Sequence, residues 1–261
     1  NITQPPTQST IQGTQMSGIE TPHFKSIPTG QIAIVIGATG GIGAAFATHL
    51  HSSGHFAKVL TYGRKTRPSL DFDIPESIDA CARDARMQAD AHGCDIALII
   101  DATGYLHDET FQPEKSLRQI DATYMTKQFR INAIGPALLM KHFCPLLPRK
   151  GKAVFATLSA KVGSIGDNRM GGWYGYRAAK AALNQLVKTA SIELARNKPD
   201  AICVSLHPGT VDTGLSGPFA KSGLDVQNPE QVTARMLAVI DGLTPGQSGG
   251  FFAYDGQELP W

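Results

Sequence analysis

The chain has 261 residues, enough for one α/β domain of the larger kind, and 42% of them are hydrophobic, ample for a sizeable core. A net charge of +2 is too mild to mark a nucleic-acid or membrane-surface binder, and no apolar run reaches the roughly 18 residues that span a bilayer. The four cysteines, Cys81, Cys94, Cys144 and Cys203, lie far apart with no C-x-x-C spacing. They read as reduced thiols of a cytoplasmic protein, with neither a disulfide frame nor a metal centre. His49, His51 and His55 are spaced i, i+2, which does not put metal ligands on one helix face, so a structural role is expected.

Residues 1–30, rich in Gln, Thr, Ser, Pro and Gly, read as a weakly ordered arm ahead of one domain over 31–261. The arm has no cationic segment followed by an apolar one, so it is not a secretory signal. Gln31–Ile36 is an almost wholly apolar run, as expected of a central parallel strand. It leads into Gly37-Ala38-Thr39-Gly40-Gly41-Ile42-Gly43 and a helix-compatible stretch to Ser53. Strand, glycine turn and helix in that order are the setting of a dinucleotide loop. Glycines permit the tight turn, and the pyrophosphate sits at the helix N-terminus. Gly37, Thr39, Gly41, Ile42 and Gly43 are the candidate cofactor residues here.

A second strand, 56–62, ends in Gly63-Arg64-Lys65-Thr66-Arg67. A carboxylate at this point serves a ribose 2′-hydroxyl, whereas cations accommodate a 2′-phosphate. Arg64, helped by Lys65 or Arg67, therefore favours NADP(H) over NAD(H). Leu70-Asp71-Phe72-Asp73 reads as a short third strand, although the crossover before it is abbreviated. Pro75-Glu76-Ser77 opens a helix to about His92. Residues 95–100 form another apolar strand ending in Asp101-Ala102-Thr103-Gly104, with a loop over 105–115 and a long helix over about 117–147.

Inside that helix, Pro136 withholds an N–H from the Asn132 carbonyl, which a kink leaves free to hold a water. A fifth strand, 153–158, ends at Ser159, and a glycine-rich loop over 166–172 leads to a helix carrying Tyr176 and Lys180. A sixth strand, 201–206, precedes His207-Pro208-Gly209-Thr210-Val211-Asp212-Thr213. Residues 214–228 read as a mobile lid or substrate loop. Asn228 and Pro229 begin a helix to about Gly242, and 249–254 is a last strand. The alternation predicts a Rossmann-like, doubly wound parallel sheet in one domain.

Tyr176 and Lys180, four apart on a helix, share one face. A free phenol titrates near pH ~10, and a nearby ammonium favours the phenolate. Raising its acidity a thousandfold takes roughly 4 kcal/mol, which a buried ammonium and a cationic ring can supply. The pair is then suited to acid/base work on a carbonyl or an alcohol.

Taken in order, Gly37-x-x-x-Gly41-x-Gly43, Asp101-Ala102-Thr103-Gly104, Asn132, Ser159, Tyr176-x-x-x-Lys180 and Pro208-Gly209-x-Val211-x-Thr213 resemble the short-chain dehydrogenase/reductase family over about 30–261. The ending from Phe251 and the run Ser205-Leu206-His207-Pro208-Gly209 are similar to its C-factor-like, carbonyl-reductase-like branch. The resemblance implies an NADPH-dependent reduction of a ketone or aldehyde, with Tyr176 as general acid. Lys180 would bind the nicotinamide ribose, Asn132 would hold a relay water, and a serine would position the carbonyl. Val211 and Thr213 would contact the nicotinamide amide or nearby phosphate, Asp71 would meet the adenine, and Gly104 carries over from the turn after the fourth strand. It also implies a homodimer or homotetramer.

The family serine normally stands three residues before a glycine, which from Gly163 is Ala160, with Ser159 its neighbour. Neighbours in a strand face opposite ways. A bulge at the strand end would turn Ser159 inward, with Ser164 a distant substitute. Two other readings stand beside the reductase: a dinucleotide-binding regulator or signalling protein with little catalysis, and an isomerase or epimerase on the same scaffold.

Overall fold

The computed structural model describes residues 23–214 and 226–261. In chain order its elements are β1 (Ile32–Ile36), α1 (Gly41–Ser52), β2 (Lys58–Tyr62), α2 (Pro75–His92), β3 (Ile96–Asp101), α3 (Ala122–Phe129), α4 (Gly135–Phe143), β4 (Ala153–Leu158), α5 (Tyr174–Asn197), β5 (Ala201–His207), β6 (Thr210–Val211), β7 (Val226–Gln227), α6 (Pro229–Gly242) and β8 (Phe251–Ala253). A six-stranded sheet runs in the order β2-β1-β3-β4-β5-β8, with every pair parallel. β6 and β7 form a separate two-stranded ladder.

The apolar runs are central strands because both faces are covered. Ile32, Ile34, Ile99, Phe155 and Cys203 face a layer containing Ala85 of α2, Leu139 and Phe143 of α4, and Leu183 and Val187 of α5. Ala33, Val35, Leu98, Ile100, Val204 and Leu206 face Phe46 and Leu50 of α1 and Met236, Leu237 and Ile240 of α6. Leu183 and Leu237 are fully buried, each worth about 2 kcal/mol of apolar burial. Both faces of the sheet are thus helix-covered, as the doubly wound reading requires.

The predicted strand at Leu70–Asp73 is absent. Leu70 N and Thr66 N both donate to Gly63 O (3.0 and 3.1 Å), so the chain doubles back instead of running along β2. Ser77 Oγ, near the start of α2, bonds the Asp71 backbone at both N and O (2.9 Å each). The Phe72 ring lies where a Cβ on Gly135 would stand, 2.5 Å away, so this segment covers α4 rather than extending the sheet. β2 is left as the sheet edge. The reason is length: a bare loop of this size cannot carry the chain back to a parallel partner.

The expected long helix over 117–147 is segmented. A short 3-10 turn at Leu117–Gln119 precedes α3, and a π-helical turn at Arg130–Ile134 joins α3 to α4. Gly135 N donates to Arg130 O, five residues back, so the helix widens just ahead of Pro136 and contains no long straight rod. At the start of α6, Asn228 accepts from Glu230 N and Gln231 N, the N-cap expected of it.

Residues 23–30 of the arm are tied down. Lys25 N, Ser26 N and Ile27 N all donate to the Asp241 carboxylate (2.8–3.1 Å), and Phe24 meets Phe56 edge-on at 5.1 Å. The rest of the arm, 1–22, and most of the predicted lid, 215–225, lie outside the described residues. His49 and His55 have structural partners, bonding the Glu230 and Ile27 carbonyls (2.8 Å each).

Candidate active site

The glycine loop closes the C-terminal end of β1 with no room to spare. Gly37 has φ +83, open to glycine and strained for other residues, and a Cβ there would stand 3.0 Å from the Ala102 backbone. A Cβ on Gly43 would lie 2.3 Å from Gly37 O, and one on Gly41 would meet Thr213 Cγ2 at 2.9 Å. The loop after β1, the turn after β3 and the Thr213 segment after β6 therefore converge on one spot. Thr39 and Gly40 are exposed at the mouth, Ile42 is half-buried, Gly104 is exposed, and Val211 is buried beneath.

Gly63 also borders this cradle, at 4.0 Å from Thr39 Oγ1 measured from where its Cβ would be. Thr66 fixes the following turn, accepting from Gly63 N (3.0 Å) and donating to the Pro68 carbonyl (2.7 Å). Arg64, Lys65 and Arg67 are held outward and exposed. The Asp71 Oδ1 accepts from Asp73 N (2.9 Å), so the carboxylate shapes the turn into α2.

α5 begins in a left-handed turn. Gly171, Gly172 and Trp173 have φ +63, +67 and +53, a conformation that only the two glycines adopt without strain. The Glu114 carboxylate accepts from Gly175 N (3.1 Å), setting a negative charge at the positive end of the helix. Tyr176 and Lys180 follow on the buried face, 7% and 2% exposed. Lys180 Nζ lies 5.8 Å from the Tyr176 ring centroid and donates to the Leu158 carbonyl at the end of β4 (2.7 Å).

The predicted lowering of the phenol's pKa is not found. Burial, followed by the Tyr124 phenol, pushes Tyr176 well above its ordinary value, while burial pushes the Lys180 ammonium down to about 8. Desolvation favours the neutral phenol. Tyr176 is therefore protonated at neutral pH, the state a general acid needs.

Ser159 is not turned toward the tyrosine by a bulge. β4 and β5 pair without a break from Ala153↔Ala201 to Leu158↔Leu206, and Ser159 N extends the ladder to Leu206 O (2.7 Å). The Ser159 Oγ donates to Asn184 Oδ1 (2.7 Å), two turns beyond Tyr176 on α5, and is 3% exposed. Ala160 continues in extended conformation on the other face (φ −149, ψ 143). Ser164 is also occupied, its hydroxyl accepting from Asp167 N (3.1 Å).

Asn132 sits fully buried in the π turn, where its side chain grips the loop after β3. Its Oδ1 accepts from Tyr105 N (3.0 Å), and its Nδ2 donates to Tyr105 O (2.8 Å) and Gln128 Oε1 (2.7 Å). The π turn agrees with the expected distortion, and the amide has a structural task beside it.

A short-chain dehydrogenase family model matches residues 31–222, most of the chain. The chain belongs to the short-chain dehydrogenase family. It is an oxidoreductase of that family, and none of its described helices is long and apolar enough to cross a membrane. It is 30% identical over 237 residues to a 1-hydroxy-2-glutathionyl-2-methyl-3-butene dehydrogenase of a Rhodococcus strain, covering 87% of this chain and 98% of that protein. It is 40% identical over 147 residues to the C-signal protein of Myxococcus xanthus, covering 56% of this chain and 84% of that one. In three dimensions it is similar to the NADPH-bound carbonyl reductase from chicken fatty liver, with a TM-score of 0.78, 24% identity, and 92% and 96% of the two chains covered. These likenesses bear out the C-factor-like, carbonyl-reductase-like branch.

Several polar groups of this dehydrogenase escaped the sequence reading. Asp101 closes β3 wholly buried, accepting from Thr103 N, Thr103 Oγ1 and Thr157 Oγ1 (3.0, 2.6 and 2.7 Å). An acid directly after an apolar strand was a visible signal. Asn184 and Glu114 had none, since each matters only through a neighbour distant in sequence.

Proposed function

We propose that the chain is an NADP(H)-dependent reductase of a ketone or aldehyde, acting reversibly on the alcohol. The observation that carries this reading is the burial of Tyr176 and Lys180 one turn apart on α5, in a chain whose β1–α1 turn is the tight glycine turn Gly37–Gly43. The turn fits a dinucleotide pyrophosphate because it closes this tightly only with glycine: a Cβ on Gly43 would strike Gly37 O and one on Gly41 would strike Thr213. Gly37, Thr39, Gly41, Ile42 and Gly43 would hold the phosphates. Gly104, Val211 and Thr213 would lie along the middle of the cofactor, and Lys180 would hold its ribose.

Arg64, with Lys65 or Arg67, supplies the positive charge that a 2′-phosphate needs. A nicotinamide held there would supply the hydride for the carbonyl carbon. Tyr176 gives its proton to the carbonyl oxygen, and Lys180 stabilises the phenolate left behind. The proton would return from solvent by way of a water at the Asn132 carbonyl. Asp71, which also shapes the turn into α2, would meet the adenine.

Tyr176→Phe should lose at least a thousandfold in kcat while NADPH binding, followed by fluorescence titration, stays within about threefold. Undiminished carbonyl reduction by that variant would overturn the assignment.

A second reading has one observation in its favour. Ser159 donates its hydroxyl to Asn184 and Ala160 stands on the opposite face, so the carbonyl lacks a serine donor from β4. A nucleotide-binding regulator with little turnover fits that arrangement. No NADPH oxidation across a panel of ketones and aldehydes, with tight cofactor binding, would favour it.

A further inference from the structure

A buried polar layer lies under α5 at one level of the sheet. β3 and β4 place Asp101 beside Thr157, and β4 and β5 place Thr157 beside Ser205. Asp101 is 0% exposed, and the three donors that converge on it are one backbone N–H and two hydroxyls. Lys180 reaches the same layer from α5, its Nζ bonded to the carbonyl of Leu158, the residue after Thr157. No hydrogen bond or ion pair joins Asp101 to Lys180. Both are buried near the end of β4, in a water-excluded layer where a charge needs a counter-charge.

We propose that Asp101 is a positioning residue acting through Lys180, its buried carboxylate serving as the counter-charge that keeps the Lys180 ammonium protonated beside Tyr176. The proposal rests on the reductase reading for its catalytic consequence, whereas the coupling rests on the burial of both groups against neighbouring residues of β4.

Other titratable groups around Lys180 do not fill this role. Tyr176, on the same helix, is held neutral by burial. Lys161, in the turn that meets Lys180 through Gly163, has the same charge and turns outward to Asp167 (3.7 Å). His207 of β5 is held neutral, its pKa pushed down to about 4 by burial and then by Lys161. Lys180 is the cation acting on Asp101, and Asp101 the anion acting on Lys180. Burial drives the lysine down to about 8 and the Asp101 charge opposes that fall. Burial pushes the Asp101 carboxyl up, and its three hydrogen bonds and Lys180 pull it back. Each group therefore helps the other keep its charge.

Asp101→Asn keeps the shape and removes the charge. The expected result is a downward shift of about one pH unit or more in the Lys180 titration, read by NMR of the labelled lysine side chain in NADP-bound protein. The basic limb of the kcat/KM profile should shift with it, so that the variant loses more activity at pH 8 than at pH 6. A merely structural role would lower activity equally at both. An unmoved lysine titration would overturn the proposal. The reciprocal variant, Lys180→Met, needs no turnover. The carboxyl-carbon signal of Asp101 should report protonation at higher pH than in the wild type, and an unchanged signal would overturn the coupling. So would a wild-type Asp101 already protonated at pH 7. If wild-type protein shows no carbonyl reduction, the reductase reading fails, while both lysine and carboxyl titrations still decide the coupling.

Discussion

Replacing Asn132 with alanine tests whether its amide is a clamp on the active-site loop. The side chain satisfies Tyr105 N, Tyr105 O and Gln128 Oε1 together, and both Asn132 and Gln128 are 0% exposed. Alanine leaves three polar groups without a partner, each costing about 1–3 kcal/mol if it stays dry. A water entering the vacated space restores part of that loss, so a net destabilisation of about 2–4 kcal/mol is expected. For a chain of this size each kcal/mol lowers Tm by roughly 2–4 °C, giving a fall of about 4–16 °C by calorimetry. Asn132→Asp should be at least as damaging at neutral pH, because the new carboxylate would set an oxygen against Tyr105 O and Gln128 Oε1. Gln128 cannot reverse its amide freely, since its Nε2 donates to Leu106 O (3.0 Å). That carboxylate would have a folded pKa raised above its unfolded value, so the penalty eases as pH falls. Tm values of both variants within about 1 °C of the wild type would refute the clamp.

Two other outcomes follow from the site's charges. Arg64→Ala should weaken NADPH about ten- to a hundredfold through loss of charge-assisted phosphate bonds, leaving NADH nearly unchanged; isothermal titration with both nucleotides checks this, and equal losses would reassign Arg64. His207, with a folded pKa of about 4 against 6.5 free, takes up its proton in the unfolded chain first. Stability should therefore fall as pH drops from about 6.5 to about 4, by at most ~3 kcal/mol for this residue. Urea unfolding of the wild type and of His207→Asn at several pH values reads the difference, and identical slopes would exclude the histidine.

Much of the molecule was legible because local pattern and tertiary role coincide. Gln31–Ile36, 95–100 and 153–158 are apolar on nearly every residue, as a sheet covered on both faces requires. Asn228 and Pro229 carry the capping chemistry of a helix start within four residues. The glycines from Gly37 to Gly43 announce a backbone approach that no side chain permits. In each case the decisive neighbours lie within a few positions along the chain.

What only the tertiary structure decided involves partners far apart in sequence. The 70–73 segment has strand-like composition, but its pairing depends on whether the loop before it spans the distance back to β2, and Phe72 finds Gly135 instead. The facing of Ser159 turned on an unbroken register with β5 and on Asn184, a quarter-turn of chemistry invisible from the strand alone. Tyr176 and Lys180 stand one helical turn apart in the sequence, and that much of the site was settled before folding. Whether the ammonium lowers the phenol or leaves it protonated was not. Burial sets that balance, because desolvation and counter-charge belong to the folded surroundings rather than to the residues themselves.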